Sequence, residues 1–395
     1  MHICMIMSSY HGESAFQSGA ELQAHTQIQL LKSLGCTITV ITKKRSSQSQ
    51  YKEVIDGTTI YRVSPTGLRS IRAALLLFQN RKRFDLVHIH GQHFFSTPVI
   101  LISRMLAIPT VLKITIAGQT SSPMALDKLL PKGWNPWRKL INWVSCLTTA
   151  YLAISSEIVD ELRSQDITTD KIVALPNGVN TERFHPITAE EKLQLKCELG
   201  LPANKKVLLF ASRLIERKGY DIMLKAYRDI HLAFPDSVLM VVGKGSSDAV
   251  LALEQLKQEL GEDSITYRGE VTDTAPYLQA SDLFIFPSRQ EGLPNALLEA
   301  MACGCACVAS DIGGCSDLIV PGENGLLFQS GDAASLIDSV KQLMTKPKQM
   351  EEFGQKAYVK IKMNHDIVII GNQLMRLYCS LIDGKCMVNN QNVRL

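Results

Sequence analysis

The sequence of 395 residues lacks two features that would place a chain in or across a membrane. No window reaches the roughly 18 uninterrupted apolar residues of a membrane-spanning helix. The most apolar stretch, 97–112, is broken by Arg104 and Pro109. The start of the chain has neither a basic leader nor an apolar run long enough for a signal peptide. We therefore expect a cytoplasmic protein.

The sequence also lacks the spacing of a metal site. Its ten cysteines are scattered, which favours reduced thiols over a disulfide framework. Cys303, Cys305 and Cys307 are separated by single residues, whereas structural zinc sites usually have two or more residues between paired ligands and a second pair elsewhere. We interpret the three as small buried thiols and predict no metal site.

What the sequence does contain is typical of a folded protein of two or three domains, with 46% hydrophobic and 20% charged residues. The net charge of +4 is unevenly placed. Residues 1–185 hold 20 Lys and Arg against 12 Asp and Glu, and the remainder holds 22 against 26. The first half should therefore tolerate an anionic partner better than the second.

Short apolar segments alternate with helical patterns, which predicts an α/β fold with parallel, doubly wound sheets. The strand candidates are 2–7, 37–42, 86–90, 110–114, 151–154, 172–175, 207–211, 237–242, 265–267, 283–286 and 306–309. A proline- and glycine-marked junction at 176–186 divides them into two sets. We predict two Rossmann-like domains, 1–182 and 183–360, facing across a cleft, and a helical segment, 361–395, that packs back toward the first domain.

The most informative segment holds two glutamates eight positions apart. Glu291 lies in a loop after the strand candidate 283–286, and Glu299 lies early in the helix that follows. Both carboxylates should reach the crevice at the carboxyl ends of parallel strands, where open α/β sheets bind ligands. Alternatively, Glu291 is a solvated loop charge and Glu299 is a first-turn glutamate favoured by the helix dipole.

Two cations and two glycines could serve an anionic ligand. Arg213 and Lys218 follow a strand candidate, and a diphosphate is held well by a forked guanidinium and a compact ammonium; the alternative is a solvated loop. Gly243 ends a strand in a Gly-x-Gly without the rest of a dinucleotide fingerprint, which indicates close approach of a ligand or of backbone. Gly19 opens a helix and would let a phosphate reach its N-terminus.

The order of these residues resembles the retaining glycosyltransferases of family 4, over nearly the whole chain. The matching motifs are Asn177-Gly-Val-Asn, Ser212-Arg-Leu with Lys218-Gly219, Gly243, Glu291-Gly-x-Pro-Asn with Glu299-Ala-Met-Ala-x-Gly304, Gly313-Gly314 and Asn324-Gly325-Leu326-Leu327. The resemblance implies the GT-B fold, a donor site mostly in the second domain, and a nucleotide-diphosphate sugar as donor, without a cofactor or an essential metal. Consistent with this, the sequence has no Asp-x-Asp pair.

The resemblance also implies roles. Arg213 and Lys218 would bind the donor diphosphate and neutralise the leaving group. Glu299 would hydrogen-bond the ribose hydroxyls, while Glu291 would contact the donor sugar and stabilise positive charge at the anomeric carbon. The further donor-binding residues would be Gly19, Gly243, Val271, Gly292, Leu293 and Asn295, with Val271 at the base.

Three positions qualify the resemblance. Thr115 stands where many members have a histidine, so a histidine role in the transition state is not expected at that position. Asp317 replaces a usual glutamate, and its reach is shorter. His90 ends a different strand candidate and is interpreted as a loop-edge residue.

We therefore predict a metal-independent hexosyltransferase that serves cell-surface polysaccharide or glycolipid synthesis. It would move a hexose-type sugar from a nucleotide-sugar to a glycan or lipid-linked acceptor, and it would bind no nucleic acid. The alternative is a nucleotide-sugar epimerase of the same fold. A third hypothesis, a two-lobed solute-binding protein, is disfavoured by the missing signal peptide.

Two stretches of the first half predict contact with an anionic membrane surface. Trp134, Trp137 and Trp143 are interleaved with basic residues, and the segment Arg69–Arg83 is likewise basic and apolar. Aromatic and cationic residues on one amphipathic face are typical of an interfacial helix. Alternatively, the tryptophans belong to the core of a helix that packs on the sheet.

Overall fold

The structure is a computed structural model that describes residues 1–7, 10, 19–44, 49–63, 69–91, 96–116, 118 and 136–384. These residues form two compact units. The first unit begins at Met1, ends at Asn177 and resumes at Val368; the second is Gly178–Ile367. The chain therefore enters the second unit slightly before the predicted boundary at 183 and leaves it after the predicted boundary at 361.

A mainly parallel sheet forms the centre of the first unit. Within the described residues it has eight strands in the order β3-β4-β2-β1-β5-β6-β7-β8. Their bounds are β1 (His2–Ile6), β2 (Thr37–Lys43), β3 (Lys52–Ile55), β4 (Thr58–Val63), β5 (Leu86–His90), β6 (Thr110–Ile114), β7 (Ala150–Ala153) and β8 (Ile172–Ala174). The antiparallel β3–β4 hairpin is absent from the sequence prediction. Asp56 and Gly57 form its turn, with φ of 48° and 70°, as a two-residue hairpin turn requires.

Helices connect most of these strands. Those that follow β1 to β7 are α1 (Gly19–Ser33), α2 (Arg69–Gln79), α3 (Thr97–Met105), α4 (Pro136–Ser145) and α5 (Ser156–Ser164). The strands β1, β2, β6 and β7 bury nearly every residue, so they read as continuous apolar runs rather than as alternating patterns. This is why the sequence located them well.

The second unit is built on a fully parallel sheet. Its strands are β9 (Lys206–Ala211), β10 (Ser237–Val242), β11 (Ile265–Tyr267), β12 (Leu283–Phe286), β13 (Ala306–Ser310) and β14 (Leu326–Phe328). Its helices are α6 (Ala189–Glu198), α7 (Tyr220–Ala233), α8 (Ser247–Leu260), α9 (Ala275–Gln279), α10 (Asn295–Ala302), α11 (Gly313–Ser316), α12 (Ala333–Met344) and α13 (Pro347–Asn364). The short β14 is, after β3 and β4, a third strand that the sequence prediction missed. The two doubly wound α/β sheets that it expected are confirmed.

The last helix, α14 (Ile367–Ile382), packs into the first unit. Leu374, Leu377 and Tyr378 share a buried core with Ile28 and Leu31 of α1. None of the helices in the described residues has the length and hydropathy needed to cross a membrane.

The strand order of the second unit creates a switch point. The order is β11-β10-β9-β12-β13-β14, so the chain proceeds outward from β9 on one side and then returns to the other side of β9 with β12. The switch point lies between β9 and β12, and open α/β sheets bind ligands at the carboxyl ends of the strands beside such a point.

Candidate active site

The switch point brings together two of the predicted site residues. Lys218 ends a short 3-10 turn, Glu216–Lys218, in the loop after β9, and Glu291 lies in the loop after β12. The Lys218 ammonium and a Glu291 carboxylate oxygen form a direct ion pair and hydrogen bond. The side chains retain only 15% and 11% of their exposure. Glu291 is therefore not a solvated loop charge.

The surroundings of this pair partly offset the effect of burial on the pKa of the lysine. Burial lowers the pKa of Lys218, and the charge and hydrogen bond of Glu291 oppose that shift. The Ser288 hydroxyl donates to Glu291 Oε1 at 2.7 Å, and the ammonium lies 5.8 Å from the centre of the Phe286 ring. Arg213 is exposed and lowers the pKa of Lys218 through its like charge. Within the described residues Arg213 has no ion pair.

Backbone hydrogen bonds join the two loops that carry the pair. The Arg289 amide donates to the Arg217 carbonyl at 2.8 Å, and Ser288 Oγ lies 3.1 Å from the same carbonyl oxygen. Arg289 also binds Asp221 of α7 through two hydrogen bonds of 2.8 and 2.7 Å. These hydrogen bonds are the main cause of the lowered pKa of Asp221. These contacts fix the separation of the loops before any ligand is present.

Two glycines allow close approach of backbone, Gly219 between the loops after β9 and β12 and Gly243 between those after β10 and β9. Gly219 has φ of 71°, and a Cβ built on it would lie 1.8 Å from the Pro287 carbonyl oxygen. Gly243 has φ of 135°, and its Cβ would lie 2.0 Å from the Ser212 carbonyl oxygen. Only glycine fits at either position. The close approach predicted for Gly243 is therefore that of backbone.

Glu299 lies on α10, the helix that follows the Glu291 loop. Burial raises its pKa to about 7, and the Thr274 hydroxyl, which donates to Oε2 at 3.2 Å, limits the shift. Arg183 also favours the ionised form, although it is paired with Asp273 at 2.8 Å. A carboxyl that titrates near neutrality and has one hydroxyl donor can accept further hydrogen bonds when it ionises.

The remaining predicted donor residues lie on elements around this edge, with one exception. Asn295 is the first residue of α10, and Gly292 and Leu293 are buried in the loop before it. Val271 is half-buried in the loop after β11. Gly19 begins α1 and so belongs to the first unit.

Some site residues escaped the sequence prediction. Ser288 and Thr274 supply the hydroxyl donors to Glu291 and Glu299, and Arg217 lies 3.8 Å from Glu291. Nothing in the sequence marks these two hydroxyls, because serine and threonine are common in loops. Arg217 could have been found, since it adjoins Lys218 in the same cationic run.

The cysteine run is confirmed as buried thiols. Cys303, Cys305 and Cys307 are free and buried. Cys305 Sγ donates to the Leu278 carbonyl at 3.1 Å, and burial raises its pKa to about 12. Across the described residues no group of three or more His, Cys, Asp and Glu is arranged to hold a metal ion.

The first unit has its own buried polar cluster near the ends of β5 and β6. The rings of His88 and His90 stack with centroids 4.4 Å apart, and a hydrogen bond of 2.5 Å joins His88 Nδ1 and the Tyr378 hydroxyl. Lys113 Nζ donates to Asn177 Oδ1 at 2.9 Å. Burial lowers the pKa of His90 to about 3 and that of Lys113 to about 8. His90 is thus the last residue of a strand, packed on a neighbour.

The other two qualifying positions lie outside these clusters. Thr115 directly follows β6. Asp317 caps the C-terminus of α11, and its carbonyl accepts a hydrogen bond of 3.0 Å from Lys360 Nζ.

Two family models match the chain. The model described as Glycosyl transferases group 1 matches residues 192–360, and the model described as Glycosyltransferase Family 4 matches residues 17–183. The two matches together run over most of both units.

Several known proteins are similar to the chain. A GDP-mannose-dependent monoacylated alpha-(1-6)-phosphatidylinositol monomannoside mannosyltransferase of Corynebacterium glutamicum is 30% identical over 211 residues, 51% of this chain and 55% of that protein. The UDP-Gal:alpha-D-GlcNAc-diphosphoundecaprenol alpha-1,3-galactosyltransferase of Escherichia coli is 26% identical over 389 residues, 93% of this chain and 95% of that protein. The chain thus spans about half of the first protein and nearly all of the second.

The likeness extends to solved structures. Anabaena HepE in complex with UDP superposes with a TM-score of 0.78 over 96% of this chain and 100% of that chain, at 19% identity. At this identity the likeness concerns the fold.

Proposed function

Because the chain belongs to glycosyltransferase family 4 and has the GT-B fold, we propose that it transfers a hexosyl group with retention of configuration. The donor is a nucleotide-diphosphate sugar, and the acceptor is a glycan or a lipid-linked sugar. The product belongs to cell-surface polysaccharide or glycolipid synthesis. The relatives named above are transferases, so the epimerase alternative gains no support.

One observation carries the proposal: a lysine and a glutamate whose side chains retain only 15% and 11% of their exposure are paired at the switch point of the second unit. Burial lowers the pKa of Lys218, and the charge and hydrogen bond of Glu291 oppose that effect. A donor diphosphate carries more negative charge than one carboxylate and can therefore compete for the ammonium. The site thus holds a cation ready for the ligand without an uncompensated buried charge.

The reaction separates charge, and the paired residues are suited to its two sides. As the bond from the anomeric carbon to the diphosphate breaks, negative charge grows on the phosphate oxygens and positive charge on the sugar ring. We assign the phosphate side to Lys218 and Arg213, and the sugar side to the Glu291 carboxylate. Because Thr115 offers no imidazole where many family members have one, Glu291 carries the sugar side of this assignment.

The neighbouring helix is suited to the nucleoside. Glu299 ionises near neutrality and can accept hydrogen bonds from the two ribose hydroxyls, and the loop of Val271 lies after β11 on the far side of β10. Fixed amides of Gly292, Leu293 and Asn295 would hold the sugar and phosphate. The mannosyl- and galactosyltransferase relatives use GDP-mannose and UDP-Gal by name. We therefore propose a hexose carried by GDP or UDP.

A panel of UDP-, GDP- and ADP-sugars tests the proposal directly. We expect slow hydrolysis of one donor in the absence of acceptor, and NMR should detect first the sugar anomer that the donor carries. Turnover should survive EDTA, because the proposal assigns charge neutralisation to side chains. The absence of both binding and hydrolysis across the whole panel would contradict glycosyl transfer. Release of the opposite anomer would contradict only the retention of configuration.

A further inference from the structure

Three neighbouring helices of the first unit share one face of the sheet. α2, α3 and α4 lead into β5, β6 and β7, which follow one another across the sheet. Right-handed crossovers place all three connections on the same side. α3 packs against both α2 and α4. The outward sides of the three helices therefore form one continuous surface, here called the α2–α4 face.

On α2 this surface is apolar. Ile71, Leu75 and Phe78 are exposed and follow the four-then-three spacing of one helix side. Leu76 and Leu77 are buried on the opposite side. The helix thus has a second apolar side that is exposed, and Leu75 at its centre keeps 52% of its exposure.

The neighbouring helices extend the same surface. Met105 of α3 is 80% exposed, with Leu101 one turn before it. Trp143 of α4 is 60% exposed, with Leu140 one turn before it. Exposed Trp143 does not belong to the core. Large exposed apolar side chains on three adjoining helices are uncommon in a protein without a partner for that surface.

The charges of the face have one sign. The sequences of α2, the turn Arg81–Arg83, α3 and α4 contain no aspartate or glutamate. Arg72 and Arg104 are exposed, as are all three residues of the turn. Arg81 lies 4.6 Å from the centre of the Phe78 ring, so a cation and an apolar group occupy the same spot. The partner should therefore be both apolar and anionic.

We propose that the α2–α4 face binds the interface of an anionic lipid bilayer. Such an interface accepts aliphatic and aromatic side chains at the boundary of its acyl chains, while its headgroups attract arginine and lysine. A symmetric contact with a second copy of this chain would instead oppose one set of cations to an identical set. This inference goes beyond glycosyl transfer and does not depend on the donor or the acceptor.

Vesicle flotation tests the proposal with the full chain. The probes are vesicles of phosphatidylcholine alone and vesicles with roughly one third phosphatidylglycerol, an anionic fraction that raises the surface potential. We expect flotation with the anionic vesicles only, and release at high salt because the attraction is screened. Protein that stays in the bottom fraction with both vesicles overturns the proposal.

Two triple variants separate the apolar and the charged contributions. Leu75→Ser, Met105→Ser and Trp143→Ser together should weaken partitioning at least tenfold, since each removes apolar area from the interface. The matched control is Leu193→Ser, Leu232→Ser and Leu251→Ser, three exposed leucines of the second unit.

The second variant removes positive charge from the face. Arg72→Gln, Arg81→Gln and Arg104→Gln together should also weaken partitioning at least tenfold, since each charge near an anionic surface is worth roughly fivefold. The matched control is Lys225→Gln, Lys348→Gln and Lys356→Gln, three exposed lysines of the second unit with the same loss of charge.

Equal losses in the test and control variants overturn the proposal, because binding would then not be located on this face. A wild-type dimer that becomes monomeric in the serine variant overturns it too, since the face would then be a protein interface. Donor hydrolysis measured without lipid on the same preparations keeps the two proposals apart. Flotation without hydrolysis contradicts the transfer activity and leaves the membrane face intact.

Discussion

Both units carry ionisable side chains near the carboxyl ends of their central strands, and the two sets balance charge in different ways. In the second unit, Lys218 is paired with Glu291, which offsets the effect of burial on the lysine. In the first unit, His88, His90 and Lys113 are all bases, and burial lowers the pKa of each. The charge of Lys113 lowers the pKa of both histidines further.

This difference distinguishes a candidate ligand-binding site in the second unit from a structural cluster in the first. A largely buried cation that is balanced by a carboxylate can pair instead with a more highly charged ligand, because the negative charge of the ligand then replaces that of the carboxylate. Histidines that burial keeps neutral offer hydrogen bonds rather than charge, and His88 links the sheet to α14 through its hydrogen bond with Tyr378. We therefore expect substitutions at Lys218 and Glu291 of the second unit to change activity. Substitutions at the buried histidines of the first unit should instead change how stability depends on pH.

The largest expected effect belongs to Lys218→Ala. Loss of one fixed charge at the leaving group should lower donor turnover by about 100-fold, or about 3 kcal/mol in the barrier. Lys225→Ala removes an equal charge from the exposed side of α7 and is the control. Hydrolysis of the donor measures turnover, and circular dichroism checks that both variants are folded. Turnover within threefold of the wild type would remove Lys218 from the mechanism.

An intermediate effect is expected at His90, where the comparison between the units can be broken directly. Its pKa in the folded chain is about 3, below the ordinary 6.5, so the unfolded chain binds the proton first as the pH falls. The contribution of this residue to the stability of the first unit is therefore fully present above pH 6.5 and is lost progressively toward pH 3. At pH 5 the loss is about 2 kcal/mol for this residue alone.

The second unit should respond differently over the same range. The pKa of Asp282, bound by Lys192 and Lys196 at 2.9 and 3.0 Å, lies below its ordinary value, so its contribution is kept down to about pH 4. The protection of backbone amides against hydrogen exchange, corrected for the effect of pH on the intrinsic rate, should therefore fall at pH 5 in β5 and β6 before it falls in β9 and β12. His90→Gln should reduce this difference, and His185→Gln, an exposed control in the second unit, should not. An equal loss of amide protection in both units would contradict the difference that we infer between them.

The sequence predicted most of the fold because buried parallel strands are continuous apolar runs. It missed the β3–β4 hairpin, in which β3 alternates between exposed and half-buried residues, although Asp56-Gly57 is a recognisable hairpin turn. It also placed Lys218 and Glu291 at the ends of strands, which suffices to bring them to one edge. It could not predict that they pair, because two residues separated by 73 positions meet only through the strand order.

The surface of the first unit was predicted in part for the same reason. Trp143 and the basic segment after Arg69 stand out in the sequence, whereas Met105 does not. Its place beside them follows from the order of β5, β6 and β7. Trp134 lies outside the described residues, as do the side-chain contacts of Trp137.

The smallest expected effect concerns Glu299 and sharpens the contrast within the donor site itself. Its pKa of about 7 lies above the ordinary 4.5, so the folded chain holds a proton that the unfolded chain has lost. If the ionised form binds ribose, affinity for the nucleoside diphosphate should fall about tenfold, or about 1.4 kcal/mol, from pH 8 to pH 6. Calorimetric titration measures this dependence.

Glu299→Gln is the matched control, because the amide keeps the shape of the side chain and cannot ionise. The variant should retain only the pH dependence that the nucleotide phosphates contribute, so the difference between the two profiles isolates the carboxyl group. Its thermal stability should also exceed that of the wild type at pH 8 and approach it at pH 5, because the stability cost of a raised carboxyl pKa grows from about pH 4.5 and is complete above about pH 7. Parallel binding profiles would show that Glu299 does not contact the ligand in its ionised form.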